Sequence, residues 1–294
     1  MKKHFFCFDV CNAFFLALLI FAGCSSQPKR VMEVSVIRTA CASSLETANA
    51  CILTGDFENA QKTLEGCYSQ AMSIDNAPLL VSVSLARVSL MLSQNPPDVA
   101  VARMYLNDAK NFAKFCDDKA KQNALCTMNE VRISLEDGTF TDYESLNRIL
   151  DECDKDLKQD KYNEAHLFSI RGDICRKQKQ YAQAEKLFTE AVKKYSDNRY
   201  LAEIGLTWYK IAQVRSLAGN NTGALEALDT AITFDRASEN TRALGIDYYI
   251  KGIIYSRIDK IPEAKYSFEH SADIFNSINQ EDLANRSKNA AQKL

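Results

Sequence analysis

The chain has 294 residues, 46% of them hydrophobic and 25% charged, with a formal net charge of −2. That apolar share is ample for a packed core, and the near-neutral charge excludes the basic field that holds nucleic acid. Ten Gly and five Pro leave few points where a helix must break, so the composition points to a nearly all-helical protein.

The N-terminus reads as a targeting segment. Lys2 and Lys3 precede an apolar run, Ala13 to Phe21, too short to span a bilayer as a stable helix. The run ends in Phe21-Ala22-Gly23-Cys24. This resembles the lipobox of bacterial lipoproteins, in which the Cys is acylated and becomes the mature N-terminus; Phe21 stands where that family usually carries Leu. The resemblance implies a signal peptide at 1–23, lipid on Cys24 and a short tether at 24–36. With Ser25 after the Cys, it also implies an outer-membrane location facing the periplasm. An ordinary signal peptide or an uncleaved anchor is the alternative.

From Cys41 the chain reads as helical hairpins. In the first, to about Met72, Ala48, Cys51, Ala60, Leu64 and Cys67 alternate small and large, and Gly55-Asp56 makes the turn: Gly closes one helix and Asp caps the next. The second runs from Leu79 to about Phe115, turns at Asn95-Pro96-Pro97, and carries Ala102, Leu106 and Ala109 on its second helix. The third, Asn123 to about Leu157, turns at Asp137-Gly138. There Thr141 to Glu144 reads as a capping box opening a helix with Leu146, Ile149, Leu150 and Cys153 on one face.

Three clearer hairpins follow, to about Ile278, with one period. Phe168, Trp208 and Tyr248 are 40 residues apart; so are Gly172, Ala212 and Gly252; so are Ala184, Ala224 and Ala264; so are Phe188, Leu228 and Phe268. Position classes sharing a fixed period signal a repeat array. Small residues let the two helices approach, and the large apolar residues fill the space beside them. Glu281 to Leu294 reads as a last amphipathic helix, with Leu283, Ala284, Ala290, Ala291 and Leu294 covering the open end.

These residues resemble the tetratricopeptide repeat, with an aromatic, a small residue four later, then small and large residues on a second helix. Cys175 and Arg215 depart from it at the second aromatic, Ser271 departs at the last Ala, and the period exceeds the usual 34 or so. The resemblance implies an all-α, right-handed superhelical solenoid of about six hairpins over 37–294, with a C-terminal capping helix. It also directs the position after each leading aromatic, and those one and two turns on, to a concave groove. These are Ser169, Asp173 and Arg176; Tyr209, Gln213 and Ser216; Tyr249, Ile253 and Ser256. Tyr209 and Tyr249 carry broad apolar faces with polar tips, suited to a partner surface; packing between repeats is the competing role. The Lys/Arg/Asn set with which some members clamp a terminal carboxylate is absent from these positions.

No catalytic constellation stands out. His166 and His270 are far apart in the chain, and there is no Gly-rich phosphate loop and no His-Glu-x-x-His or Gly-x-Ser-x-Gly. The chain is expected to be no enzyme, and to need no cofactor or metal. The seven cysteines beyond Cys24 (Cys41, Cys51, Cys67, Cys116, Cys126, Cys153 and Cys175) have no zinc-type spacing. Most fall at apolar helix positions as small hydrophobes, and Cys41 with Cys67 is the best-placed disulfide pair. The leading reading is an envelope lipoprotein that scaffolds protein partners in an assembly or transport complex. The alternative is a ligand-binding accessory subunit of a periplasmic transport system. Labelling with a palmitate analogue should mark the wild-type chain and not a Cys24→Ala variant; a variant that still takes up label would refute the lipid assignment.

Overall fold

The structure is a computed structural model that describes residues 35–138, 141–157, 160–197 and 200–294. The expected signal peptide, Cys24 and most of the tether lie outside these residues. Among them are thirteen helices and no strand. The first hairpin is α1 (Val36–Thr54) and α2 (Phe57–Ser73), the second α3 (Ala77–Ser93) and α4 (Val99–Ala113), the third α5 (Lys119–Glu136) and α6 (Tyr143–Leu157). Then come α7 (Lys161–Lys177) with α8 (Tyr181–Ser196), α9 (Leu201–Leu217) with α10 (Asn221–Ala237), and α11 (Thr241–Arg257) with α12 (Ile261–Ser277). Helix α13 (Glu281–Gln292) ends the array against α12. Residues 37–294 form one compact unit.

The small residue on each clear first helix is set by the side chain opposite. A Cβ on Gly172 would overlap the Phe188 ring, and one on Gly252 would stand 2.6 Å from the Phe268 ring. The middle repeat has Ala212 in place of Gly and Leu228 in place of Phe, and both are fully buried in one cluster. A shorter side chain across the interface leaves room for one methyl, so volume is conserved between the two helices. Ala184, Ala224 and Ala264, each with no exposed surface, let the second helices approach in turn.

The turns repeat as well. Lys179, Gly219 and Asp259 all have positive φ, between 56° and 84°, and sit 40 residues apart at the same step after a first helix. In each, the amide of the next residue returns to a carbonyl four back from the αL residue: Gln180 to Cys175 oxygen, Asn220 to Arg215 and Lys260 to Tyr255, all at 2.9 Å. This is the C-terminal closure that glycine suits best; two of the three turns make it with a side chain present. Gly55 at φ 83° and Asp56, whose carboxylate accepts from the Asn59 amide at 3.2 Å, close and cap as the sequence indicated. At the third hairpin the cap is Asp142, which accepts from the Ser145 amide at 3.1 Å, one residue past the Thr141 of the expected capping box.

The departures from the repeat pattern each have an occupation. Arg215 pairs with Glu185 of α8 and donates to the Gly223 carbonyl of α10 at 3.0 Å, tying three helices. Ser271 donates to the Gly245 carbonyl at 2.7 Å and meets the Ser287 hydroxyl of α13 at 3.0 Å. The buried face of α13 is accordingly Ala284, Ser287 and Ala291, while Leu294 remains 39% exposed. Cys41 and Cys67 do face each other across α1 and α2, each thiol donating to the other's carbonyl at 3.6 Å; both are free thiols.

The array bends far enough for its ends to meet. The Gln280 amide, between α12 and α13, donates to the Gly55 carbonyl between α1 and α2 at 3.1 Å. Arg242 lies over the Phe57 ring, 5.5 Å from its centroid. The six hairpins therefore close into a ring.

Two stability measurements check this packing. Gly172→Leu should destabilise by on the order of 1–3 kcal/mol or more, and chemical denaturation that finds no loss would overturn the small-for-large account. Lys179→Gly should stabilise by roughly 1 kcal/mol by relieving a left-handed non-Gly residue.

Candidate functional site

The inside of the ring is a lumen to which all six first helices contribute. Its main chamber holds about 550 Å³ and is lined by Leu45, Ile52 and Leu53 of α1, Leu85 of α3, Leu125 and Met128 of α5, Leu206 of α9 and Ile246 of α11. Leu206 is half exposed there. This is an apolar surface kept open, of a size used for ligand recognition.

The polar groups in that wall are few. Arg132 of α5 donates to the Asn129 side chain at 2.8 Å and to the Ser89 hydroxyl of α3 at 3.2 Å. Arg242 of α11 lies over the Phe57 face, and its Nε has no hydrogen-bond partner among the described residues. Burial pulls both guanidinium pKa values down from the usual arginine range, the sign of charge held without full compensation. Opposite them, Glu203 of α9 accepts from the Tyr162 hydroxyl of α7 at 3.2 Å. Tyr162 belongs to an aromatic cluster with Tyr195, Tyr200 and His166. His166 meets the Tyr195 hydroxyl at 3.1 Å; burial, then Arg132 and Lys210, hold its pKa well below the ordinary value, so the ring is neutral.

A second chamber of about 420 Å³, bounded like the first by Arg242 and Ile246, lies toward α13. Tyr209 and Tyr249 stand in its wall with Ile250, Leu283 and Arg286, and the α3–α4 turn at Gln94 and Asn95 completes it. Both tyrosines are half-buried and also packed. Tyr209 rests on the apolar cluster of α8 to α10 and accepts from Gln213 at 2.8 Å. Tyr249 lies 5.4 Å from the Phe268 ring and accepts from Arg286 Nε at 3.1 Å. Both rings line the cavity wall and also pack between repeats.

The other groove positions are placed as follows. Ser169 is buried and accepts from Lys210 at 3.0 Å; Asp173 is ion-paired with Lys210 and Arg176. Ser216 accepts from Arg257 of the next repeat at 2.9 Å, Ile253 packs in the α12–α13 cluster, and Ser256 is half-buried. Ser169, Asp173 and Ser216 thus link adjacent first helices. The open chamber lies one turn earlier, and the same period marks it: Tyr162, Ala202 and Arg242, then His166, Leu206 and Ile246, are again 40 apart. Arg132 carries no such mark, because its repeat is too divergent to align. Among the described residues, no group of three or more His, Cys, Asp or Glu is placed to hold a metal, and no helix is long and apolar enough to cross a membrane.

Behind Tyr209, Asp235 of α10 and Asp247 of α11 are buried against one another. Gly205 of α9 leaves them space, since a Cβ there would overlap the Asp235 carboxylate. Burial raises both pKa values, Asp235 to about 6, and Asp247 further through the charge of Asp235. The pair is held as carboxyl and carboxylate sharing a proton. Asn240 supports Asp235 at 3.4 Å.

No family profile matches this chain, and comparison with curated proteins finds no relative. Solved structures do resemble it. The apo form of RapI superposes with a TM-score of 0.57 at 12% identity, over 85% of this chain and 69% of that one. Aspartyl phosphate phosphatase F from Bacillus subtilis gives 0.59 at 12% identity, over 84% and 77%. A Rap protein complexed with competence and sporulation factor gives 0.58 at 15% identity, over 83% and 68%. The fold is a tetratricopeptide-like helical array. At these identities the likeness concerns the fold alone.

The aspartate pair makes stability depend on pH with a definite sign. Raised folded-state values mean the folded chain holds protons that the unfolded chain releases. The pair's contribution is complete below about pH 4 and is lost as pH climbs through 6 and above. Asp247→Asn, which keeps a donor to Asp235 without the charge, should therefore melt roughly 3 °C or more above wild type at pH 8. The gap should close near pH 4.5; a gap independent of pH would show that the two carboxyls do not share a proton.

Proposed function

We propose that this protein is a lipid-anchored scaffold of the bacterial cell envelope, held to the outer membrane through Cys24 and facing the periplasm. In this reading its lumen receives a segment of a partner protein within an assembly or transport complex. The observation that carries it is the convergence of all six first helices on one open apolar chamber. Monomeric proteins bury such surface unless something occupies it. The two tyrosines of the second chamber add large, low-entropy contact faces. A fold neighbour that holds competence and sporulation factor supports the use of such an array to hold a factor. The lipid assignment rests on the Ala-Gly-Cys run, and the ring needs no membrane-spanning helix of its own to work at a surface.

A second reading, a ligand-binding accessory subunit of a transport system, is favoured by the chamber's volume of about 550 Å³, which suits a small solute. The two separate by crosslinking in native membranes. A photoreactive benzoylphenylalanine at position 206, in the lumen, should capture a protein, whereas one at position 186, exposed on the outer helix α8, should not. Capture from neither position, with a small molecule co-purifying from the chain, would replace the scaffold reading with the second.

A further inference from the structure

We infer that the segment the lumen accepts is apolar with an acidic side chain, whose carboxylate is held between Arg132 and Arg242. The inference rests on the lumen reading above and narrows it. The two chambers share Arg242 and Ile246 in their walls, and their lining side chains are unbalanced in charge. Arg132, Arg242 and Arg286 are basic; Glu203 alone is acidic, and it is engaged by Tyr162. His166 is neutral and adds no positive charge.

Several half-buried cations elsewhere in the ring have carboxylates: Arg171 has Asp151 and Asp154, Lys210 has Asp173, Arg215 has Glu185, whereas Arg87 lies over the Tyr68 and Tyr105 rings. Arg132 and Arg242 are not ion-paired with any carboxylate among the described residues. Arg132 spends one nitrogen on neutral oxygens, and Arg242 Nε is buried with no partner. A guanidinium desolvated in this way is destabilising until a charged acceptor reaches it. The planar fork suits a carboxylate oxygen pair.

The remainder of the wall selects what bears the carboxylate. Leu45, Leu53, Leu85, Met128, Leu206 and Ile246 demand apolar flanks. The second chamber, beside Arg242, adds the faces of Tyr209 and Tyr249 to what such a segment can meet. Asn49, which lines the chamber with its amide in no side-chain hydrogen bond among the described residues, is available to the backbone of such a chain.

The test uses the purified chain and three pools of acetylated, amidated heptapeptides, apolar at six positions with Glu, Gln or Lys at the centre. Retention on immobilised protein is read by mass spectrometry, with dodecanoate as a free-acid probe. The Glu pool should be retained at least tenfold over the Gln pool, and Lys least. Arg132→Gln with Arg242→Gln should abolish the preference while melting no lower than wild type, since two uncompensated charges leave the core. If the double variant fails to fold by circular dichroism, each single variant should cut the preference at least threefold. Equal retention of the Glu and Gln pools would overturn the acidic requirement and leave the lumen reading standing. Retention of dodecanoate without any peptide would overturn the peptide assignment. Retention of no probe would overturn this inference and the lumen reading together.

Discussion

Everything in this ring depends on how closely the two helices of a hairpin can approach. That distance is set by one contact, a residue with little or no side chain against a large apolar one. Gly172 under Phe188, Ala212 beside Leu228 and Gly252 under Phe268 are three solutions of the same volume equation. Because interiors are packed to crystal-like density, a change on one side of the contact is transmitted to the crossing of the helices. Each hairpin then passes its inclination to the next. The curvature that brings Gln280 back to Gly55 is the sum of these local choices.

The polar chemistry is arranged around that constraint. Ion pairs such as Lys210–Asp173 and Lys251–Asp229 run between neighbouring helices on surfaces the apolar contacts leave free. The first pair is largely shielded from solvent and the second half so, and both fix register along the stack. The buried carboxyls of Asp235 and Asp247 differ. They occupy the space Gly205 opens, and they make one junction in the array, between α10 and α11, sensitive to protons.

Much of the fold was legible in the sequence, and the reason is periodic. A residue that must be small because a ring lies above it recurs wherever the ring recurs, so Gly172 and Gly252 announced themselves. Turn residues were legible where their chemistry was unambiguous, as at Gly55-Asp56, and less so where Lys179 adopts a left-handed backbone that its side chain does not advertise. The cavity was harder. Its lining lies at the start of α7, α9 and α11 but farther along α1, α3 and α5, and Tyr162, Ala202 and Arg242 share a position without sharing a chemistry, so the period is present and the likeness is not. Arg132 was illegible altogether, since its hairpin has lost the pattern, and its role follows from which helices meet across the ring. The spacing put Tyr209 and Gln213 one turn apart on one helix, where they bond to each other; the reach of Arg286 from α13 to Tyr249 had no such signal.

The closure at Gly55 has a mechanical consequence. A chain of stacked units with free ends adjusts to a thick or thin occupant by spreading, at a cost shared over every interface. A loop fastened to itself cannot, and strain collects at the weakest join. Here that join is one amide-to-carbonyl bond and one cation over a ring, against whole helix faces at every other junction. Each is worth on the order of 1 kcal/mol. The fastening residue on the cation side, Arg242, is also a wall of both chambers. One side chain therefore serves the fastening and the cavity wall at once.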